Sequence, residues 1–138
     1  RENTSLKTAF SNFQSLVRAF PQSPYSQDAL ARMAYIKDML ARHELDIAKF
    51  YYKRDAYVAT ANRVVGMLQL YPDAKATYDA LPLMRDSYEK MGLKTLAEQT
   101  QQVINANQNK QFGEVKKPEE PSLIERVLPW FGGKKEQQ

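Results

Sequence analysis

The sequence predicts an all-α protein: an antiparallel helix array, an α-solenoid fragment, followed by an extended C-terminal tail. Three observations carry that expectation. Glycine is scarce: of five in 138 residues, only Gly66 and Gly92 fall within the first 107. A sheet protein of that length would spend more on turns. Good helix formers (alanine, leucine, glutamine, lysine and arginine) dominate instead. Apolar residues recur every three to four positions in five successive segments, with prolines or a glycine at most of the breaks.

The first element, about 5–20, sets Leu6, Ala9, Phe10, Phe13, Leu16, Val17 and Phe20 on one stripe. Thr4 or Ser5 can cap it, and Pro21 with Pro24 stops it. Ser26 is the expected N-cap of the second, 26–54. That stretch has no glycine or proline, so it reads as one long helix with a possible kink near His43. The third, 56–70, turns Tyr57, Ala61, Val64, Val65 and Leu68 inward and closes at Pro72-Asp73. The fourth, 75–91, carries Thr77, Leu81, Met84, Tyr88 and Met91. Pro82 lies inside it, where the missing backbone donor should kink the helix. Gly92 fits the residue just past the C-cap. The fifth, 94–107, aligns Leu96, Ala97, Thr100, Val103 and Ile104. Short connections make neighbours antiparallel. Met67 and Leu70 fall off the Tyr57 stripe, as a helix touching two neighbours requires, and this favours an array over a closed bundle.

Composition excludes several functions. A net charge of +4 is mild, and no nucleic-acid partner is expected. Zero cysteines exclude disulfides, thiolate metal sites and a cysteine nucleophile. The single histidine, His43, sits among Arg42, Glu44 and Asp46 and reads as solvent-exposed. Glu44 and Asp46, two apart on a helix, face different ways and form no acid–base pair. There is no glycine-rich phosphate loop, metal cluster or nucleophile–base set, so neither an enzyme nor a cofactor is expected. No apolar run approaches the ~20 residues that span a bilayer.

An array should show a period, and the 34-residue tetratricopeptide pattern fits in part. Tyr51 to Tyr57 followed by Pro72 matches one repeat, with Thr60 where alanine is usual and Val64 where an aromatic is usual. Tyr88, Gly92 and Ala97 repeat the same offsets. Ala9, Phe13 and Pro21 match the closing helix of an earlier repeat. An array opening on a second helix leaves its first stripe uncovered. The chain is therefore expected to be a fragment, or to have a partner over that stripe. The repeats occupy 1–107, a polar linker 108–121, and a short amphipathic segment 122–138.

The run Ala9-Phe10, Phe13, Leu16-Val17-Arg18, Phe20-Pro21, Tyr25, Asp28-Ala29 and Arg32 resembles the BamD (ComL, YfiO) family of outer-membrane lipoproteins. So do Ala48-Lys49-Phe50-Tyr51-Tyr52, Asn62-Arg63-Val64, Gly66-Met67-Leu68, Tyr71-Pro72-Asp73 and Asp79-Ala80-Leu81-Pro82-Leu83-Met84. The resemblance spans roughly 5–107 and implies a periplasmic scaffold of five repeats, tethered to the outer membrane by a lipid on an N-terminal cysteine that this chain lacks. It implies partners: a BamA-type barrel subunit, through its membrane-proximal POTRA domain, and other subunits of the assembly complex. Unfolded outer-membrane proteins would be received by N-terminal repeats absent here. It implies that the arginine of Asn62-Arg63-Val64 pairs with a POTRA carboxylate; a solvated arginine or an intramolecular pair is the competing reading. Asn62, Met67, Tyr71 and Tyr78 join Arg63 as partner-binding candidates, while Tyr51, Tyr57 and Tyr88 are assigned to packing between helices. Another tetratricopeptide adaptor or chaperone with a different protein partner is the alternative.

In the tail, Ser122-Leu123-Ile124-Glu125 is a capping box opening a short helix that Pro129 ends. Leu123, Ile124, Val127 and Leu128 share its face, and Trp130-Phe131 follow. A helix of one to two turns is unstable alone in water. The cluster is expected to anchor on the array, on a partner subunit or at a lipid interface, with protein preferred.

Overall fold

The computed structural model describes residues 2–118, so the expected tail anchor from Leu123 to Phe131 lies outside the described residues. The fold is all-α and tetratricopeptide-like. Five helices follow in order: α1 (Glu2–Ala19), α2 (Pro24–Lys53), α3 (Tyr57–Leu70), α4 (Lys75–Lys90) and α5 (Lys94–Ala106). Among the described residues none is long and apolar enough to cross a membrane. By contacts the described residues divide into two units, one of residues 2–36 with 115–118, the other Lys37–Glu114.

The start of α2 corrects the sequence expectation. Ser23, not Ser26, is the cap, and its Oγ accepts the Tyr25 N–H at 3.1 Å. Pro24 takes the first helical position, where a missing N–H costs nothing. Ser26 is fully buried inside the helix and donates its hydroxyl back to the Phe20 carbonyl. Phe20 lies beyond the end of α1 and is 61% exposed, not on the inward stripe. The rest of that stripe, Leu6 to Val17, is half-buried, while Ala29 and Ile36 of α2 are buried.

The corner at 20–26 recurs at 71–77. Phe20 N–H donates to Leu16, Ser23 to Phe20 and Ser26 to Ser23; Tyr71 donates to Met67, Ala74 to Tyr71 and Thr77 to Ala74. Thr77 Oγ1 donates to the Tyr71 carbonyl at 2.7 Å, as Ser26 does to Phe20. An aromatic-proline pair with a hydroxyl residue six positions after the aromatic builds both corners.

The other joints also match. After α4, Leu93 N–H reaches the Tyr88 carbonyl at 2.8 Å and Gly92 N–H that of Glu89 at 3.0 Å, a Schellman motif with Gly92 at φ +75°. After α2, Ala56 reaches Tyr51 at 3.0 Å and Asp55 reaches Tyr52 at 3.1 Å, with Asp55 at φ +60°. The aspartate thus holds a left-handed position that suits glycine better. Asp55 also accepts the Tyr57 hydroxyl at 2.8 Å, an exposed bond. Asp55→Gly is expected to raise unfolding free energy by ~0.5–1 kcal/mol, the relieved strain exceeding the added unfolded-state entropy. Urea titration checks this, and a lower midpoint would show that the aspartate side chain matters more than its backbone.

The second unit holds the larger core: Ala41, Leu45 and Ala48 of α2, Ala61, Val64 and Met67 of α3, and Ala76, Ala80, Leu81 and Met84 of α4. α4 packs against both α3 and α5, which buries Ala97 and Thr100. Alanines recur on every helix of this core and permit close approach, with Leu45, Met67, Leu81 and Met84 filling the remaining volume. Thr60 and Thr100 satisfy their buried hydroxyls on the carbonyls four residues back, both at 2.8 Å. α4 runs through Pro82 as one helix.

Two expectations change. The buried positions of α3 are Thr60, Ala61, Val64 and Met67, while Val65 is 37% exposed and Tyr57 only half-buried. The segment after Asn107 is not simply a solvated linker, because Phe112 returns to the Tyr78 ring at 5.2 Å between centroids.

Candidate functional site

Opposite its buried face, α3 presents Ala59, Asn62, Arg63, Gly66 and Leu70, one stripe at helical spacing. With Glu44 and Tyr51, two turns apart on α2, they line an open groove of about 370 Å³. The α2–α3 joint sets this pairing: Glu44 lies nine residues before Lys53 (53 − 44), and Arg63 nine after Arg54 (63 − 54). In an antiparallel hairpin such positions face each other.

Arg63 Nη1 donates to Glu44 Oε1 at 3.0 Å, with side chains 36% and 20% exposed. The guanidinium carbon sits 6.0 Å from the centroid of the Tyr51 ring, the outer limit of a cation–π contact. The bond to Glu44 raises the arginine's pKa above its ordinary value, against the opposing effect of burial. Arg63 therefore stays charged at the edge of a half-open groove. Glu44 engages one N–H of a planar fork that carries five, so the guanidinium has capacity for a second acceptor.

The other sequence-predicted residues scatter. Asn62 is exposed and lines the groove beside Arg63. Met67 was expected at the interface but is 1% exposed and belongs to the core between α2, α3 and α4. It lies three residues after Val64, on the buried stripe, so it has no surface to offer a partner. Tyr71 packs against the core edge, outside the groove lining. Tyr78, on α4, is covered by the chain's own return: Phe112 tilts against its ring and Lys110 Nζ donates to its hydroxyl at 3.3 Å. Only Arg63 and Asn62 of the five meet in one place. Sequence reasoning missed Tyr51, assigned to packing, and Glu44, dismissed as half of an unformed carboxylate pair, together with Ala59, Gly66 and Leu70. For Glu44 the available signal was its distance from the α2–α3 joint, equal to that of Arg63. His43 is exposed, as expected.

Burial raises the Tyr71 phenol's pKa above 10, with the Glu44 charge adding to it. The folded chain then holds this proton more tightly than the unfolded chain. The stabilisation is complete below the unfolded value of 10 and is lost as pH rises through the folded value. Unfolding free energy is expected to fall above pH 10, and less steeply in Tyr71→Phe; identical alkaline limbs in urea titrations would contradict this.

Gly66 is the one glycine inside a described helix. A helical glycine costs ~1 kcal/mol relative to alanine, yet a Cβ built there meets nothing within 4 Å. Leu70, one turn on, is 62% exposed.

The YfiO family model, described as outer membrane lipoprotein, matches residues 1–103. The Haemophilus influenzae protein named outer membrane protein assembly factor BamD is 70% identical over 123 residues, 89% of this chain and 47% of that protein. The Pasteurella multocida protein of the same name is 67% identical over 121 residues, 88% of this chain and 46% of its own length. That of Vibrio cholerae is 36% identical over 107 residues, 78% of this chain and 44% of its own. The chain spans about half the length of these relatives.

Proposed function

Because this chain belongs to the YfiO family of outer membrane lipoproteins, we propose that it is a non-enzymatic scaffold for outer-membrane protein assembly. Its α2–α3 groove docks on the POTRA region of a BamA-type barrel subunit, at the periplasmic face of the outer membrane, alongside other subunits of the complex. The scaffold so placed supports folding and insertion of outer-membrane proteins. Relatives named as assembly factors support the role. The single observation that carries the site is Arg63: a charged guanidinium at the mouth of an open groove, held by Glu44 through one N–H and able to take a further carboxylate.

Docking by such a groove needs no reaction chemistry. It needs a fixed charge, an apolar rim and a rigid frame. Glu44 fixes the arginine with the Tyr51 ring beside it, Leu70 and Ala59 supply apolar surface, and the core beneath α3 holds the frame. Calorimetric titration of the purified POTRA region into this chain is expected to give saturable binding that weakens on Arg63→Glu. No binding, or binding indifferent to that reversal, would overturn the reading.

A further inference from the structure

A glycine in mid-helix usually answers a need inside the molecule, either a left-handed residue or the close approach of a neighbouring element. Neither applies to Gly66. It sits within α3, its φ is not among the positive values, and a Cβ there would meet nothing within 4 Å. Among the described residues, nothing uses the space it leaves. It lies in the groove, three residues from Arg63 and four from Leu70, hence next to both along one face.

We infer that Gly66 is where an acidic segment of the docking partner brings its main chain against α3, its carboxylate on Arg63 and an adjacent apolar side chain against Leu70. This rests on the docking reading above and deepens it by naming the occupant. The charge of Arg63 selects the acid. The exposed Leu70 selects an apolar neighbour. The groove, about 370 Å³, suits a few residues of extended chain or loop. Glycine lets two backbones approach without a Cβ between them, so the substitution that suits the free helix is the one that spoils the complex.

That opposition of signs supplies the test. Gly66→Ala, Gly66→Leu and Arg63→Glu are made in the full chain and titrated with the purified POTRA region, with melting temperatures measured in parallel. Gly66→Ala is expected to raise the Tm by ~2–6 °C, from helix propensity alone, and to weaken binding several-fold. Gly66→Leu, whose Cβ would meet nothing within 4 Å among the described residues and would open on the groove, is expected to remain folded and to weaken binding at least ~30-fold. Unchanged affinity in Gly66→Leu, with binding lost in Arg63→Glu, overturns the glycine contact and leaves the docking reading intact. Unchanged affinity in both overturns both. Loss in Gly66→Leu with Arg63→Glu unaffected overturns the acidic occupant.

Discussion

Arg63→Glu is expected to weaken association with the POTRA region by about 2–5 kcal/mol, tens- to thousands-fold in Kd, while the chain stays folded. The magnitude has two parts. The guanidinium that would meet the partner's carboxylate is removed, and a carboxylate is set opposite it. Within the chain the same substitution faces Glu44, now a like charge in place of a 3.0 Å ion pair. Both side chains retain solvent access, so this internal cost stays near ~1 kcal/mol. A second variant separates the roles. Glu44→Arg with Arg63→Glu restores the internal pair in reversed order but leaves the outward acceptor wrong. If the arginine serves only to tie α3 to α2, the double variant regains both stability and binding. If it meets a partner, stability returns and affinity does not. Raising salt should weaken the parent complex as well, since the pair lies at a solvent-accessible rim.

Met67→Ala is expected to act in the opposite domain of effects, costing about 2–5 kcal/mol of unfolding free energy and leaving the affinity of folded molecules unchanged. Met67 is 1% exposed and sits among Ala61, Val64, Leu81 and Met84. Truncation removes three side-chain heavy atoms from a site walled by helices that cannot easily close in. Against a typical ~5–15 kcal/mol of total stability that is a large fraction, and the melting temperature should fall by roughly 2–6 °C for each kcal/mol. Differential scanning calorimetry with titration below the transition checks both halves. Partner binding lost at a temperature where the variant is fully folded would return Met67 to the interface.

The five helices were legible because prolines, Gly92 and the apolar period mark their limits, and observed ends differ from those expected by three residues at most. The phase of α3 was not. Its sequence has apolar residues on nearly every side, with Val58 and Val65 outward and Val64 and Met67 inward. A period locates a stripe only where the opposite face is polar, so choosing Tyr57, Val65 and Leu68 as the inward set put Met67 on the wrong side. Ser26 misled for a related reason: a serine before a helical run suits an N-cap, but Pro24 already fixes the first turn and Ser23 supplies the oxygen. The groove was half legible. Arg63 and Asn62 came from a motif, whereas Glu44 and Tyr51 needed knowledge of which α2 residues lie across the hairpin. The return of Phe112 to Tyr78 gave no periodic signal at all.

The two aromatic-proline corners have a kinetic meaning. Each closes within seven residues, from Phe20 to Ser26 and from Tyr71 to Thr77, using main-chain groups and one hydroxyl. Nothing distant in sequence is needed to form the bend. In the second unit the helices that touch are successive ones, so little loop-closure entropy opposes assembly and contact order stays low. A chain of this design can complete each corner as soon as its own residues are free, and lengthen by one hairpin at a time without undoing what precedes it.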